Sequence, residues 1–405
     1  MKYDIIVLST YECSIFYYWR IMPRYNPLLS QLGVYHQQQS ENRKADVLAQ
    51  GKKLLDFSVG DPIDPVPEFI RQGLKDSIPS NCRYPKVKGS AEVREAMAGY
   101  VQRRFGVELD INKHIIPVSG SKEAVFHLPQ IIIDPAAPDR KVIFPDPGYP
   151  VWQRGTLFAG GEAMAVPLSG DFVFRPWELD PEILKQTRIL WINSPHNPSG
   201  AVMSWKDIER TVALCLEYDI LLASDECYAD IYSPSVEPPH SVLEFGLENV
   251  VALFSLSKRS GMTGYRSGFM AGDPEVIETF ATYRSNPGVV PQSFINDAAR
   301  LAWSDDYHVE ERRVLFAQKK ALFISFFDRI GWSTIGRDAS LYLWIKIPEG
   351  DTSLDWVLRL IDQGVVVSSG DMFACSDAGD GYLRLAMVPS LNECKEAIDL
   401  WEKAL

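Results

Sequence analysis

From about Ile115 onward the chain alternates short apolar runs with stretches of helical period. The runs are IIPV (115–118), VIF (142–144), EAMAVP (162–167), ILWI (189–192), ILLAS (220–224), VVALFS (250–255) and SGFMAG (267–272). Most lack polar–apolar alternation, the pattern of strands buried on both faces of a parallel sheet. Helical stretches such as 205–217 and 275–284 lie between several of them. This grammar of repeated β-α-β units predicts an α/β fold on a sheet of about seven strands. The last third differs: an amphipathic stretch near 306–330 leads into the strand LYLWIKIP (341–348). A helix near 353–363, the strands VVVSS (365–369) and YLRLAMV (382–388), and a helix over 391–404 follow. That mixture predicts a smaller α+β domain. The expected division is an N-terminal segment (22–69) that joins the small domain, a large domain (70–300) and a small C-terminal domain (301–405).

Composition narrows the function classes. A chain of 405 residues, 46% hydrophobic and 23% charged, is neither disordered nor fibrous. Its net charge of −12 leaves no basic footprint for nucleic acid or an anionic membrane. A local arginine can still bind a small anion. The six cysteines form no C-x-x-C pair, and the six histidines form no H-x-x-x-H pair. Reduced thiols in a cytoplasmic protein, and no metal site, are therefore expected. No run reaches the ~18 uninterrupted apolar residues of a membrane span. Met22, opening MPRYNPLLSQL, reads as the natural start, with residues 1–21 an upstream extension.

Ligands of open α/β sheets bind at the carboxyl ends of the strands, so the residues after each run carry the most information. After IIPV, Ser119-Gly120-Ser121-Lys122-Glu123 opens a helix whose N–H groups could hold a phosphate. After ILWI comes Asn193-Ser194-Pro195-His196-Asn197-Pro198-Ser199-Gly200. After ILLAS, Asp225-Glu226-Cys227-Tyr228 brings a carboxylate out of a buried strand, and after VVALFS come Leu256-Ser257-Lys258, with Arg266 eight residues on. Taken singly these are an ordinary cap, a turn and solvated loop charges. Together, a phosphate nest, an amide, a carboxylate–tyrosine pair, a lysine and an arginine at successive strand ends describe one site. The spacing Ser255-x-x-Lys258 also suits a serine nucleophile with a lysine base, but the S-D-N and K-T-G partners of that chemistry are missing. Neither a Walker A loop nor G-x-G-x-x-G occurs.

The segments NSPHNPSG, SDECYADI and SLSKRSGMTGYRSGF resemble the core of the class I/II, fold-type I, pyridoxal-5′-phosphate-dependent aminotransferases. SVGDP (58–62), YPKVKG (84–89), SGSKEA (119–124), FPDPGYPVW (144–152) and YLRLAMVPS (382–390) fall in the family's order, so the likeness runs from about Met22 to Leu405. It implies a large domain with a mixed, mostly parallel seven-stranded sheet. It also implies that Lys258 forms the Schiff base with the cofactor aldehyde and later moves the proton between Cα and C4′. Asp225 would sit against the pyridine nitrogen, while Tyr228 and Asn197 bond the phenolate oxygen. Ser121, Lys122, Ser255, Ser257 and Arg266 would cradle the phosphate, and Tyr149 would stack on the ring. Arg384, with Asn197 and the backbone of Gly60, would take the substrate carboxylate. Tyr84 would reach the phosphate of a neighbouring subunit, implying a homodimer with shared active sites.

The combination with SDDYHVEERR (304–313) resembles the branch of N-succinyl-diaminopimelate aminotransferases of lysine biosynthesis, with glutamate as amino donor. Arg24, Arg83, Arg284 and Arg337 are candidates for a distal carboxylate. Aspartate, alanine, methionine or aromatic aminotransferase activity fits the same core, as does a carbon–sulfur β-lyase. Departures from the family pattern are the loop SSGDMFACSDAGDG (368–381), where a proline-glycine turn is frequent, and Trp152, where tyrosine is common.

Overall fold

The apolar runs assemble into one seven-stranded sheet in a computed structural model that describes residues 25–31 and 38–405. Its strands are β1 (Ile115–Val118), β2 (Lys141–Asp146), β3 (Glu162–Pro167), β4 (Thr187–Ile192), β5 (Leu221–Asp225), β6 (Val250–Ser255) and β7 (Gly268–Gly272). They lie in the order β1-β7-β6-β5-β4-β2-β3. Strands β6, β5, β4, β2 and β3 are parallel, and β7 runs antiparallel to both its neighbours. The expected mixed, mostly parallel sheet is therefore present. The extension expected over residues 1–21, and the start at Met22, lie outside the described residues. Residues 25–31 carry the short helix Leu28–Gln31.

Strand side chains alternate between two cores. Leu190 and Ile192 of β4 enter one hydrophobic cluster, with Phe254 and Phe269, while Ile189 and Trp191 enter the other, with Trp152 and Leu253. Both faces are covered by helices, which is why the runs show no polar alternation. Edge strand β3 is the exception and is buried at no position. Trp152, one of the departures from the family pattern, is fully buried and stacks on Trp191 with ring centroids 6.2 Å apart. Helix Trp205–Glu217 starts in a capping box between Ser204 and Asp207 and buries Ile208, Thr211, Val212 and Cys215, one face at helical spacing.

The C-terminal third forms an antiparallel sheet from Thr334–Ile335, Tyr342–Lys346, Tyr382–Ala386 and Ser368–Ser369. Helices Tyr307–Ile330 and Leu391–Glu402 pack an aromatic cluster beside it, including Phe323, Phe327 and Trp401. The strand expected over 365–369 is two strands. Val365–Val366 pairs in parallel with Leu55–Asp56, whereas Ser368–Ser369 pairs with Leu383–Arg384. One short run cannot serve two sheets without a break, and the break falls at Val367. Among the described residues no helix is long and apolar enough to cross a membrane.

Just past β5, Glu226 turns into the protein and accepts a hydrogen bond from the Val242 N–H at 3.0 Å. Its other oxygen is buried without a partner, and burial pushes its pKa from 4.5 up to about 7. The folded protein thus holds a proton there that the unfolded chain releases above pH 4.5. Its contribution to stability is complete below that value and is lost as pH rises through 7. Glu226→Gln should therefore flatten the fall in stability between pH 5 and pH 8, by up to about 3 kcal/mol. Urea denaturation at the two pH values measures this, and an unchanged pH dependence would contradict it.

Candidate active site

Every residue expected to hold the cofactor or the substrate α-carboxylate, except Tyr84, lines one cavity of about 470 Å³ at the carboxyl ends of the parallel strands. That size suits a small-molecule site. Tyr84 is fully exposed and takes no part in the cavity of its own chain.

One end of the cavity is built for an anion. Helix Ser121–Ile132 begins there after Gly120, whose φ of 77° lets the chain turn from β1 into the helix. The first-turn N–H groups of Ser121 and Lys122 have no intrahelical acceptor, and the helix dipole adds positive potential. Arg266 approaches Gly120 so closely that a Cβ at position 120 would collide with its guanidinium. Two of its N–H groups are anchored by the carbonyls of Thr263 and Ser119, at 3.0 and 3.3 Å. Ser255 and Ser257 contribute hydroxyls, and Ser255 Oγ accepts from the Ser257 N–H at 3.2 Å. The helix start is itself fixed by a fully buried ion pair, Arg284 to Glu123 at 2.7 Å, whose carboxylate also accepts the Ser119 N–H. Lys122 Nζ lies 5.8 Å from the centre of the Tyr149 ring.

The middle of the cavity holds a carboxylate and an amine. Asp225 is buried, and burial raises its pKa against the weaker opposing pull of hydrogen bonds from Cys227. Such a group gains most from a cationic N–H partner. The Asn193 side chain ties the strand ends together: its amide donates to the Asp225 carbonyl at 2.5 Å, and its oxygen accepts the Asn197 N–H at 2.6 Å. Lys258 stands on the one-turn helix Leu256–Arg259, with its Nζ donating to the Gly60 carbonyl. Position 60 has no room for a Cβ, because the Tyr342 hydroxyl occupies that space. The Tyr228 and Tyr342 hydroxyls are 3.1 Å apart, and burial raises the pKa of Tyr228 well above its ordinary value.

The third part is Arg384. Its Nη1 donates to Asn197 Oδ1 at 2.9 Å and its Nη2 to the Ser58 carbonyl at 2.6 Å. The guanidinium lies between the rings of Tyr342 and Phe373, 4.2 and 4.1 Å from their centres. Its Nε is buried, and among the described residues that atom has no partner and both acceptors of the guanidinium are neutral, so none of them supplies a counter-charge. A carboxylate in the cavity would supply one.

Several contributors escaped the sequence reading. Asn193, Cys227, Tyr342, Met372 and Phe373 also line the cavity. Asn193 and Cys227 stood inside strand-end motifs, whereas Tyr342 lay in the strand LYLWIKIP and Met372 and Phe373 in the divergent 368–381 loop, with no role assigned to any of them. The 370–379 loop is clamped to the end of β2, where Asp146 accepts hydrogen bonds from the Cys375 N–H, the Ser376 N–H and the Ser376 hydroxyl. The distal-arginine candidates fare differently. Arg284 is consumed by Glu123, Arg337 pairs with Asp328 at the surface, Arg83 is exposed, and Arg24 lies outside the described residues. None of the three described candidates lines the cavity.

The donor set fits pyridoxal 5′-phosphate. It offers an anion cradle at one end, a buried carboxylate for a pyridinium N–H, an amine for a carbonyl carbon, and an uncompensated guanidinium for a substrate carboxylate. Comparison with known proteins agrees. Residues 52–400 match the family model for aminotransferase class I and II. An LL-diaminopimelate aminotransferase of Aquifex aeolicus is 35% identical over 367 residues, covering 89% of this chain and 93% of the relative. An LL-diaminopimelate aminotransferase 2 of a Nostoc species is 36% identical, covering 90% of this chain and 94% of its own length. Among solved structures, an aminotransferase from Neisseria meningitidis superposes with a TM-score of 0.86 at 30% identity, covering 94% of this chain and all of that one. A probable N-succinyldiaminopimelate aminotransferase from Thermus thermophilus gives 0.83 at 25% identity, over 90% of this chain and 98% of its own. The chain belongs to the class I and II aminotransferases and is an enzyme that works with pyridoxal 5′-phosphate.

Proposed function

We propose that this enzyme moves an amino group between LL-diaminopimelate and a 2-oxo acid, with glutamate and 2-oxoglutarate as the second substrate pair, in lysine biosynthesis. The observation that carries the reaction class is the opening of the Lys258 amine, the buried Asp225 carboxylate and the Arg384 guanidinium onto one cavity. The substrate rests on the relatives at 35 and 36% identity, which bear the name of the free diamino acid. The N-succinyl substrate expected from the sequence has weaker support. The N-succinyl name is borne by a solved structure at 25% identity, below the 35 and 36% of those relatives.

The cofactor, when bound, supplies a carbonyl carbon that accepts the amino group and a ring that draws electrons from the substrate Cα. In our reading the protein does the rest. Ser121, Lys122, Ser255, Ser257 and Arg266 bind the phosphate. Asp225 holds a proton on the ring nitrogen, and Tyr228 and Asn197 orient the ring oxygen. Tyr149 covers the ring face. Arg384, with Asn197 and Gly60, binds and orients the substrate carboxylate, while the Tyr342 and Phe373 rings keep water from its faces and so strengthen the attraction. The Lys258 Nζ would take the proton from the substrate Cα and return it to the cofactor's carbonyl carbon, two bonds away across the nitrogen. Donor and acceptor use the same site in turn, a ping-pong sequence.

We carry two further expectations forward as proposals. The chain divides into the segment 22–69, the large domain 70–300 and the small domain 301–405; the pairing of Leu55–Asp56 with Val365–Val366 supports the link between the first and the last. Two copies form a dimer with shared sites, for which the full exposure of Tyr84, which takes no part in the cavity of its own chain, is the supporting feature.

Cofactor-loaded protein mixed with LL-diaminopimelate, with its N-succinyl form or with L-glutamate tests the assignment by absorbance. The bound-cofactor spectrum should change with the free diamino acid and with glutamate, and 2-oxoglutarate should restore it. A response to the succinyl form alone would reverse the choice of substrate, and release of ammonia and pyruvate from a sulfur amino acid would favour the lyase. Lys258→Ala should abolish turnover while leaving cofactor binding intact, and Asp225→Ala should cost several orders of magnitude in rate. Arg384→Ala should raise KM on the order of a hundredfold for every amino acid without changing their ranking, since it leaves any α-carboxylate unpaired. Steady-state kinetics on a panel of amino donors measures both KM and ranking.

A further inference from the structure

The motif SDDYHVEERR (304–313) contributes nothing to the cavity, yet it touches the segment that carries Lys258. That segment needs support. Helix Leu256–Arg259 is a single turn, and one helical turn has no stability of its own. The residues following the lysine are all committed to one wall. Arg259 is buried against the rings of Tyr100 and Trp303, 4.9 and 5.1 Å from their centres. Its guanidinium donates to Asp230 at 2.9 Å, to the Ala302 carbonyl at 2.7 Å and to Asp306 at 2.7 Å. The Ser260 hydroxyl donates to His308 Nε2 at 2.8 Å, and His308 Nδ1 donates to Asp305 Oδ1 at 2.5 Å. Gly261, at φ 69°, then turns so tightly that a Cβ would lie 3.0 Å from the Arg312 guanidinium.

Serine, histidine and carboxylate stand here in the hydrogen-bond order of a hydrolase triad. Ser260 is 0% exposed and does not line the active-site cavity, so no substrate can reach it. Burial lowers the His308 pKa against the pull of Asp305. The neutral ring then has one donor, used on Asp305, and one acceptor, used on Ser260. A relay with every partner satisfied and no opening to solvent at the serine has a mechanical use.

We propose that the Asp305–His308–Ser260 relay, together with the Arg259–Asp306 pair, is a positioning device for Lys258: it fixes the turn on which the lysine stands and so aims the amine at the cavity. Of the four residues Lys258 to Gly261, only the lysine is left free to point into the site. Proton transfer at a substrate carbon depends steeply on where the amine sits. Loosening the turn therefore costs reactivity before it costs folding. The proposal rests on the assignment of Lys258 made above.

Ser260→Ala, His308→Gln and the double variant test it, beside Leu360→Ala, which removes core packing in helix Ser353–Gln363. Three quantities are read: the rate at which cofactor-free protein takes up pyridoxal 5′-phosphate, the pH midpoint of the bound-cofactor absorbance, and kcat with KM. Each relay variant should slow uptake, move the midpoint by about half a pH unit or more, and lower kcat on the order of tenfold with KM little changed. The double variant should be no worse than the worse single, because both changes break one chain. Midpoints and uptake rates that match those of Leu360→Ala and the unaltered chain would overturn the proposal, as would effects that simply add. An absorbance titration in Lys258→Ala identical to that of the unaltered chain is a separate result. It would remove the lysine assignment itself and this proposal with it.

Discussion

Arg384 is a cation sealed from water, and the ways in which the protein tolerates it shape the rest of the site. Neither of its acceptors is charged: one is the Asn197 amide oxygen and the other the Ser58 carbonyl. Burial lowers its pKa, a sign that the charge is only partly compensated. Two aromatic rings take the place of water on its faces. A pocket held in this state favours any ligand that brings a carboxylate, and attraction in such a place is far stronger than at the surface. Asp225 poses the mirror-image problem, a buried carboxylate whose pKa burial has raised. The site thus holds two charges of opposite sign, each awaiting a partner from outside the chain.

The stiffness that keeps these groups in place comes from around the cavity. Asn193 binds the ends of β4 and β5 through its amide. The buried Arg284–Glu123 pair secures the helix start beneath the anion cradle. Asp146 draws the 370–379 loop, and with it Phe373, against the large sheet. None of these residues needs to touch a substrate. Each is an ionic or amide group whose hydrogen bonds are spent on backbone atoms or on a buried partner, so that backbone atoms bordering the cavity move little.

Much of this was legible in the sequence because strands buried on both faces must end where water begins again, and the polar residue at that point is conspicuous. Asp225, Lys258, Asn197 and Arg266 stand out for that reason, and the family likeness supplied Arg384 and Gly60. Local patterns failed where contact depends on register between distant segments. Tyr342 meets Arg384 because their strands are neighbours, with Trp344 opposite Arg384. Nothing in LYLWIKIP shows which of its aromatic residues faces the site. Ser260 and His308 are 48 residues apart, and their hydrogen bond depends on how helix Tyr307–Ile330 meets the lysine turn. The distal-arginine candidates failed for a simpler reason: an arginine in sequence says nothing about whether a carboxylate already holds it, as Glu123 holds Arg284. The 365–369 run read as one strand because alternation cannot reveal a change of partner.

The pairing of Leu55–Asp56 with Val365–Val366 bears on the order in which the protein can be made. Ser58 and Gly60, which receive Arg384 and Lys258, follow directly on the first of these strands. Lys258 leaves the ribosome 198 residues after Gly60, and Arg384 326 residues after Ser58. The large sheet can form as its β-α-β units emerge, since those contacts are comparatively local. The stretch around Gly60 must wait with its apolar residues unpaired until the last strands arrive. Completion of the cavity is therefore a late event of this chain's synthesis, and a ribosome that stops short of Arg384 leaves all seven strands of the large sheet without the guanidinium that closes one side of the site.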